Sequence, residues 1–145
     1  MLMGNFKGEI NRQTLFTYFN THFGFGDKCQ VDSAELIKKV NDEVSTYPTF
    51  VTADFNMFRE NIGFKTMEKY YKDVNKATLN YTSYTYHGYD EVKAQEMFEK
   101  EGYGAIDHCF INDQIEPKKF EILKNMYDGK YPSDHFGTYI ELEIK

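Results

Sequence analysis

Acids, amides and imidazoles crowd four short stretches of this chain: Asn20-Thr21-His22, Asp54-Phe55-Asn56, Asp107-His108 and Asp134-His135. In an extended segment, residues i and i+2 point to the same side, so Asp54 and Asn56 can face one cavity, a carboxylate beside a neutral amide. Carboxylates, imidazoles and an amide converging at one rim can bind Mg²⁺, a hard cation that takes oxygen ligands and keeps several waters. Such an ion polarises a phosphoryl group and activates water, the chemistry of phosphate-ester hydrolysis. Each stretch also has a plainer reading. Asp and Asn cap turns through their own backbones, so Asp54-Phe55-Asn56 alone is ordinary turn composition, as is Asp134-His135 after Pro132-Ser133. Taken singly, His22 is a solvated histidine, His108 and Cys109 are strand packing, and Gly24-Phe25-Gly26 is a loop.

The elements that would carry these residues follow from periodicity. Thr14 to Thr21 is rich in β-branched and aromatic residues and reads as a strand ending at the first motif. Asp27 with Gln30 three positions later resembles a capping box. Behind it Val31, Ala34, Ile37, Val40 and Val44 recur at helical spacing, predicting an amphipathic helix over 28–45. After Pro48, residues 49–53 read as a short buried strand that delivers Asp54. Phe64, Met67, Tyr70, Tyr71 and Val74 predict a second helix over 63–73, and Lys65, Lys69, Lys72 and Lys76, interspersed with Glu68 and Asp73, read as its solvated face. Residues 82–86 read as a short strand, 90–101 as a helix or a loop, and 105–111 and 120–126 as strands. Ile140, Leu142 and Ile144 alternate with Tyr139, Glu141 and Glu143, which predicts a final strand with one side in the core. The order β-α-β-α followed by short strands gives an α+β fold, a layered α/β sandwich.

Composition sets the outer bounds. A chain of 145 residues suits a single domain, 1–145. With 41% apolar and 17% aromatic residues it is too rich in core-forming side chains for a disordered segment. No apolar run approaches the roughly 20 residues of a membrane-spanning helix, and no apolar leader is seen over residues 1–13. The net charge of −6 argues against a broad basic grip on nucleic acid and leans towards a small or lipid-like ester. Two distant cysteines, Cys29 and Cys109, read as reduced thiols of a cytoplasmic protein. Asn80-Tyr81-Thr82 matches a glycosylation sequon but has no secretion signal to give it meaning.

In order along the chain, Asn20-Thr21-His22, Ala53-Asp54-Phe55-Asn56, Ile106-Asp107-His108 and Tyr131-Pro132-Ser133-Asp134-His135-Phe136 resemble the successive motifs of the endonuclease/exonuclease/phosphatase superfamily, the deoxyribonuclease I-like phosphoesterases. The resemblance runs from about Arg12 to Ile144. It implies a mainly antiparallel sheet with helices on it, about one half of a two-sheet fold, and Mg²⁺ or Mn²⁺ as cofactor. It further implies that Asp54 orients or deprotonates the attacking water and that Asn56 holds that water or a phosphate oxygen. His135 and His22 would contact the scissile phosphate, and Asp107 would orient a histidine. Asp134 would be a metal or histidine partner, with Asp54 as a second metal ligand. Thr85-Tyr86-His87-Gly88 resembles a substrate-facing loop of some members. Two positions depart from the pattern: Ala53 stands where Gly is usual, and Gly137 where Pro is usual. The family's earlier half, with its principal metal-binding Glu, has no counterpart, so the chain resembles the C-terminal half only.

Two functions follow as expectations. The first is metal-dependent hydrolysis of phosphate esters (phosphodiesterase, phosphatase or nuclease), incomplete in this chain, with a small molecule, lipid or nucleic acid as the substrate. The second is a non-catalytic binding or assembly module that self-associates or pairs with the missing half, because half a sandwich leaves an apolar sheet face uncovered.

Overall fold

A computed structural model describes residues 3–10, 13–78 and 83–145, with side chains from residue 15 onwards. The sequon lies outside the described residues, as does the first residue of the strand expected over 82–86. Strands β1 (Met3–Ile10), β2 (Gln13–His22), β3 (Thr49–Asp54), β4 (Lys72–Asp73) and β5 (Asp107–Ile111) form one sheet in the order β1-β2-β3-β5-β4. Only β2 and β3 run parallel; the other pairs are antiparallel. A parallel pair needs a crossover, and α1 (Asp27–Val44) supplies it. Strands β6 (Ile115–Leu123) and β7 (Gly137–Ile144) make a separate two-stranded sheet. The fold is mixed α+β, as the element order implied.

Period two divides the main sheet into two faces. Phe19, Val51 and Phe110 meet Ala34 and Ile37 of α1 and Phe64 and Met67 of α2 (Ile62–Glu68) in one buried cluster. Burying each of these side chains other than Ala34 contributes about 1.5–3 kcal/mol. On the opposite face Cys109 and Ile111 pack with Ile115 and Phe120, and Phe50, Ile140 and Leu142 close over them half-buried. Among the described residues no helix is long and apolar enough to cross a membrane.

Several boundaries differ from the periodicity. The capping box is not made: Gly26, at φ 90°, is the N-cap, no side chain caps α1, and Gln30 turns inward. The second helix stops at Glu68; Asp73 then accepts from the Lys76 amide and starts the short α3 (Val74–Ala77). The lysine spacing therefore spans three elements, with Lys76 paired to Glu68 at 2.6 Å. Residues 83–85 are not a strand, and Tyr86 alone bridges to His135. Residues 90–101 do form a helix, α4 (Glu91–Glu101), capped by the Asp90 carboxylate. The strand expected over 120–126 begins earlier, at Ile115, and ends at Leu123.

Candidate active site

The ends of β2, β3 and β5 meet at one edge of the main sheet. His22 stands beside Asp54 in the parallel register, and Asp54 stands opposite Asp107 in the antiparallel one. All three point to the face away from α1 and α2, because Phe19, Val51, Ala53 and Phe110, at the alternate positions, point into the helical core. Two carboxylates directly opposite each other repel. His135, from the loop before β7, answers that repulsion: its Nδ1 lies 2.8 Å from Asp107 Oδ2 and its Nε2 lies 3.7 Å from Asp54 Oδ2. His22 Nε2 approaches the same Asp54 oxygen at 3.4 Å.

Asn56 completes the cluster from a strained position. Its φ is 49°, left-handed for a residue with a Cβ. Its amide N–H donates to Asp54 Oδ1 at 2.8 Å. Its side-chain Nδ2 donates to the Phe23 carbonyl at 2.9 Å and lies 3.0 Å from His22 Nε2. Two buried side chains hold this turn from beneath. Gln30 donates to the Asn56 carbonyl at 2.7 Å, and His108 Nε2 lies 3.1 Å from the Met57 carbonyl. Gly63 makes the first of these contacts possible: a Cβ there would stand 2.5 Å from Gln30 Cβ.

Electrostatics follow from this packing. Burial holds the Asp54 carboxyl above its ordinary range, and Asp107 pushes the same way, while the Asn56 N–H and the imidazoles of His135 and His22 pull it back. For His135, burial works against the charged form. The hydrogen bond to Asp107 and the charges of Asp107, Asp54 and Asp134 outweigh it and raise the imidazole's pKa. The result is a histidine that favours protonation beside a carboxylate whose Oδ2 is left to accept.

Asp54, Asp107 and His135 each offer one ligand atom, and these atoms lie within 4.8 Å of one another. Two carboxylates suit a divalent cation as hard oxygen donors, and the imidazole stands within reach of both. His22 and Asn56 stand at the same point. Asp134 is placed differently: Asp54, Asp107 and His135 form the cluster without it, its Oδ1 meets Ser133 Oγ at 3.4 Å, and its carbonyl accepts from the amides of His87 and Gly88. That carbonyl, not the carboxylate, anchors the His135 loop.

Gln30 and Thr85 carry positioning roles that periodicity hides. Thr85 is fully buried, and its Oγ1 accepts from the Ile106 and Asp107 amides at 3.0 and 3.1 Å, while its carbonyl accepts from Phe136 N–H at 2.7 Å. One residue thus ties the start of β5 to the loop carrying His135. A lone threonine and a glutamine in the first turn of a helix carry no spacing signal for such work. At Gln30 the spacing from Asp27 pointed to a capping box, a role the structure does not give it.

No protein-family model and no curated protein matches the sequence. Solved structures do. An endonuclease/exonuclease/phosphatase from Bacteroides vulgatus superposes with TM-score 0.78 at 27% identity, covering 99% of this chain and 54% of that one. A mannosyl-6-phosphatase from Bacteroides thetaiotaomicron superposes with TM-score 0.76 at 24% identity, over 98% of this chain and 56% of that one. TDP2 from D. rerio, complexed with a single-strand DNA product, superposes with TM-score 0.67 at 13% identity, over 93% and 58%. The chain spans little more than half the length of these neighbours, and its fold is a partial endonuclease/exonuclease/phosphatase-type fold.

Proposed function

We propose that the chain acts in the hydrolysis of phosphate esters with a divalent metal, Mg²⁺ or Mn²⁺. The observation that carries this reading is the convergence of Asp54, Asp107 and His135 within 4.8 Å, with His22 and Asn56 at the same point. The carboxylates of Asp54 and Asp107 would hold the ion, which when bound polarises the phosphoryl group and lowers the pKa of its water. Asp54 Oδ1 accepts the Asn56 N–H and keeps a second lone pair for the ion, so Oδ2 would be the oxygen that orients an attacking water and takes its proton. Protonated His135, held by Asp107, donates from Nε2 to a phosphoryl oxygen, and His22 does so from the other side. Asn56 holds the water or an oxygen of the phosphoryl group. The neighbouring phosphatase and the DNA-product complex support the phosphate-ester class and leave the alcohol open. A cytoplasmic location belongs to the same proposal, supported by the free thiols of Cys29 and Cys109.

The test is hydrolysis of a generic phosphate ester with Mg²⁺ or Mn²⁺. The chain joined to the family's earlier half should turn the ester over faster than the chain alone, and turnover should stop with a chelator and in Asp54→Ala; an inactive joined chain, or activity that survives either change, refutes the reading.

One observation favours assembly alongside catalysis. Phe16, Phe50, Ile140, Leu142 and Ile144 line an apolar cleft of about 350 Å³ between the main sheet and β6–β7, and Ile144 is 48% exposed. We propose that another polypeptide, or a second copy, covers this face. A concentration-independent monomer in sedimentation would count against it.

A further inference from the structure

A carboxylate and an imidazole lie buried together behind the candidate site, away from the phosphoryl position. Asp73 ends β4 and His108 stands on β5, and the side chains of both are fully buried. His108 Nδ1 lies 3.6 Å from Asp73 Oδ1, within reach of an ion pair and too long for a hydrogen bond. Neither atom has a hydrogen-bond partner among the described residues. The imidazole sits among aromatic rings, with Phe64 edge-on at 4.9 Å and Phe55 at 5.9 Å between centroids. Burying a polar pair in such surroundings costs stability unless its hydrogen bonds are met, so packing alone does not account for it.

The other contacts of the two side chains supply a reason. Asp73 Oδ2 accepts from the Lys76 amide at 2.9 Å, which starts α3 and fixes the rotation of the carboxylate. His108 Nε2 lies 3.1 Å from the Met57 carbonyl. A carbonyl oxygen only accepts, so Nε2 carries a proton. Nδ1 then faces Oδ1 with one proton between them, since two bare lone pairs meeting in a sealed core would repel. Either carrier of that proton leaves Nε2 as the donor to the Met57 carbonyl. Met57 directly follows Asn56, whose left-handed φ of 49° sets its amide N–H on Asp54 Oδ1.

Resting on the phosphoesterase reading above, we propose that Asp73 is a positioning residue for the Asn56 turn, and that it acts through His108, whose ring it holds with Nε2 on the Met57 carbonyl. Gln30 holds the carbonyl of Asn56 and the Asp73–His108 pair holds the next one, so the turn is fixed at two consecutive peptide units. Without Asp73 the imidazole is free to carry its proton on Nδ1 alone, which turns Nε2 into an acceptor facing a carbonyl lone pair. That contact repels, and the left-handed turn loses one of the constraints that enforce it.

Three variants separate this role from capping and packing. Asp73→Ser keeps an N-cap for α3 and is too short to reach the imidazole. Asp73→Asn offers an oxygen to the Lys76 amide and an N–H to His108 Nδ1, which restores the link. His108→Phe fills the place of the ring and removes both of its polar ends. The readout in the chain itself is hydrogen exchange of the Asn56 amide, followed by NMR. Asp73→Ser and His108→Phe should each speed it about tenfold relative to the core amides of α1, the double variant should add less than about twofold, and Asp73→Asn should stay within about twofold of wild type. The proposal is overturned if Asp73→Ser leaves the Asn56 amide unmoved, if the core amides speed up as much, if the two effects multiply, or if Asp73→Asn fares as badly as Asp73→Ser. Should Asp73→Ser not fold, nitrogen NMR of Asp73→Asn decides: His108 should be protonated at Nε2 alone, and protonation at Nδ1 alone overturns the proposal. In the chain joined to the family's earlier half, Asp73→Ser should lower kcat about tenfold and leave KM within about twofold; an unchanged kcat overturns the proposal. A joined wild-type chain that hydrolyses nothing, with the exchange pattern intact, removes the phosphoesterase reading and leaves the positioning of the turn standing.

Discussion

Gln30 is the side chain on which the geometry of Asn56 most depends, and Gln30→Met isolates that dependence. Methionine keeps the length and shape of the side chain and removes the donor. The Asn56 carbonyl then loses its 2.7 Å partner in a place where Gln30 itself is 3% exposed. Leaving a buried acceptor unsatisfied costs about 1–3 kcal/mol. Gln30 Oε1 has no partner among the described residues, so methionine also deletes one unsatisfied acceptor, which brings the net loss to about 1–2 kcal/mol. For a chain of this size that lowers Tm by roughly 2–8 °C. Asn56 holds a left-handed φ of 49°, a conformation that persists only while its surroundings enforce it. Once released, its Nδ2 leaves Phe23 and His22, and kcat should fall about tenfold, or about 1.4 kcal/mol of barrier. The assays are thermal unfolding by circular dichroism and metal-dependent ester hydrolysis. Gln30→Glu should be worse than methionine, since a carboxylate would face the carbonyl. A Tm within about 1 °C of wild type refutes the clamp. A lowered Tm with unchanged kcat refutes its connection to the site.

Three other outcomes follow from the same geometry. Asp107→Asn should lower the His135 pKa, because it removes the hydrogen-bonded carboxylate that raises it; an imidazole NMR titration reads this directly. The sign carries to stability: a raised folded pKa contributes stability that is complete below the unfolded value of about 6.5 and is lost as pH rises through the folded value. Wild type should therefore lose that increment on going from mildly acidic to alkaline pH, and Asp107→Asn should flatten the dependence. Gly63→Ala should destabilise by about 1–3 kcal/mol, since its Cβ would sit 2.5 Å from Gln30 Cβ and 3.0 Å from Met57 Sδ; denaturant unfolding measures the loss. Of the two thiols, exposed Cys29 should react with a thiol reagent in the native protein, whereas Cys109, whose thiol burial pushes far up, should react only on unfolding.

Elements with strong local periodicity were legible in the chain. The stripe from Val31 to Val44 produced α1 to within a residue at each end, and the alternation at Ile140, Leu142 and Ile144 produced β7. Boundaries failed where a non-local contact overrode a local pattern. Tyr70 and Tyr71 continue the helical spacing of α2, yet Asp73 pairs with Phe110 in the sheet and caps a new helix. Strand β1 carries no strong pattern, and it exists through pairing with β2 along its length. The face expected to be apolar and unpartnered is half covered by the β6–β7 hairpin, which leaves a cleft instead of an open sheet.

The site divides in the same way. Residue types and the order of the motifs pointed to His22, Asp54, Asn56, Asp107 and His135 as one set; strand period places only His22, Asp54 and Asp107 on one face, while Asn56, past the end of β3 at φ 49°, is not in the extended stretch that the i, i+2 argument expected, and His135 comes from a loop. The register of β2, β3 and β5 decided that they meet, and the Thr85 hydroxyl and the Asp134 carbonyl decided where His135 stands. Those are hydrogen bonds between segments at least twenty residues apart, and all but those to the Thr85 hydroxyl join backbone groups every residue possesses, so residue identity alone does not encode them. Local chemistry names the candidates for a site; the tertiary ladder sets the distances between them.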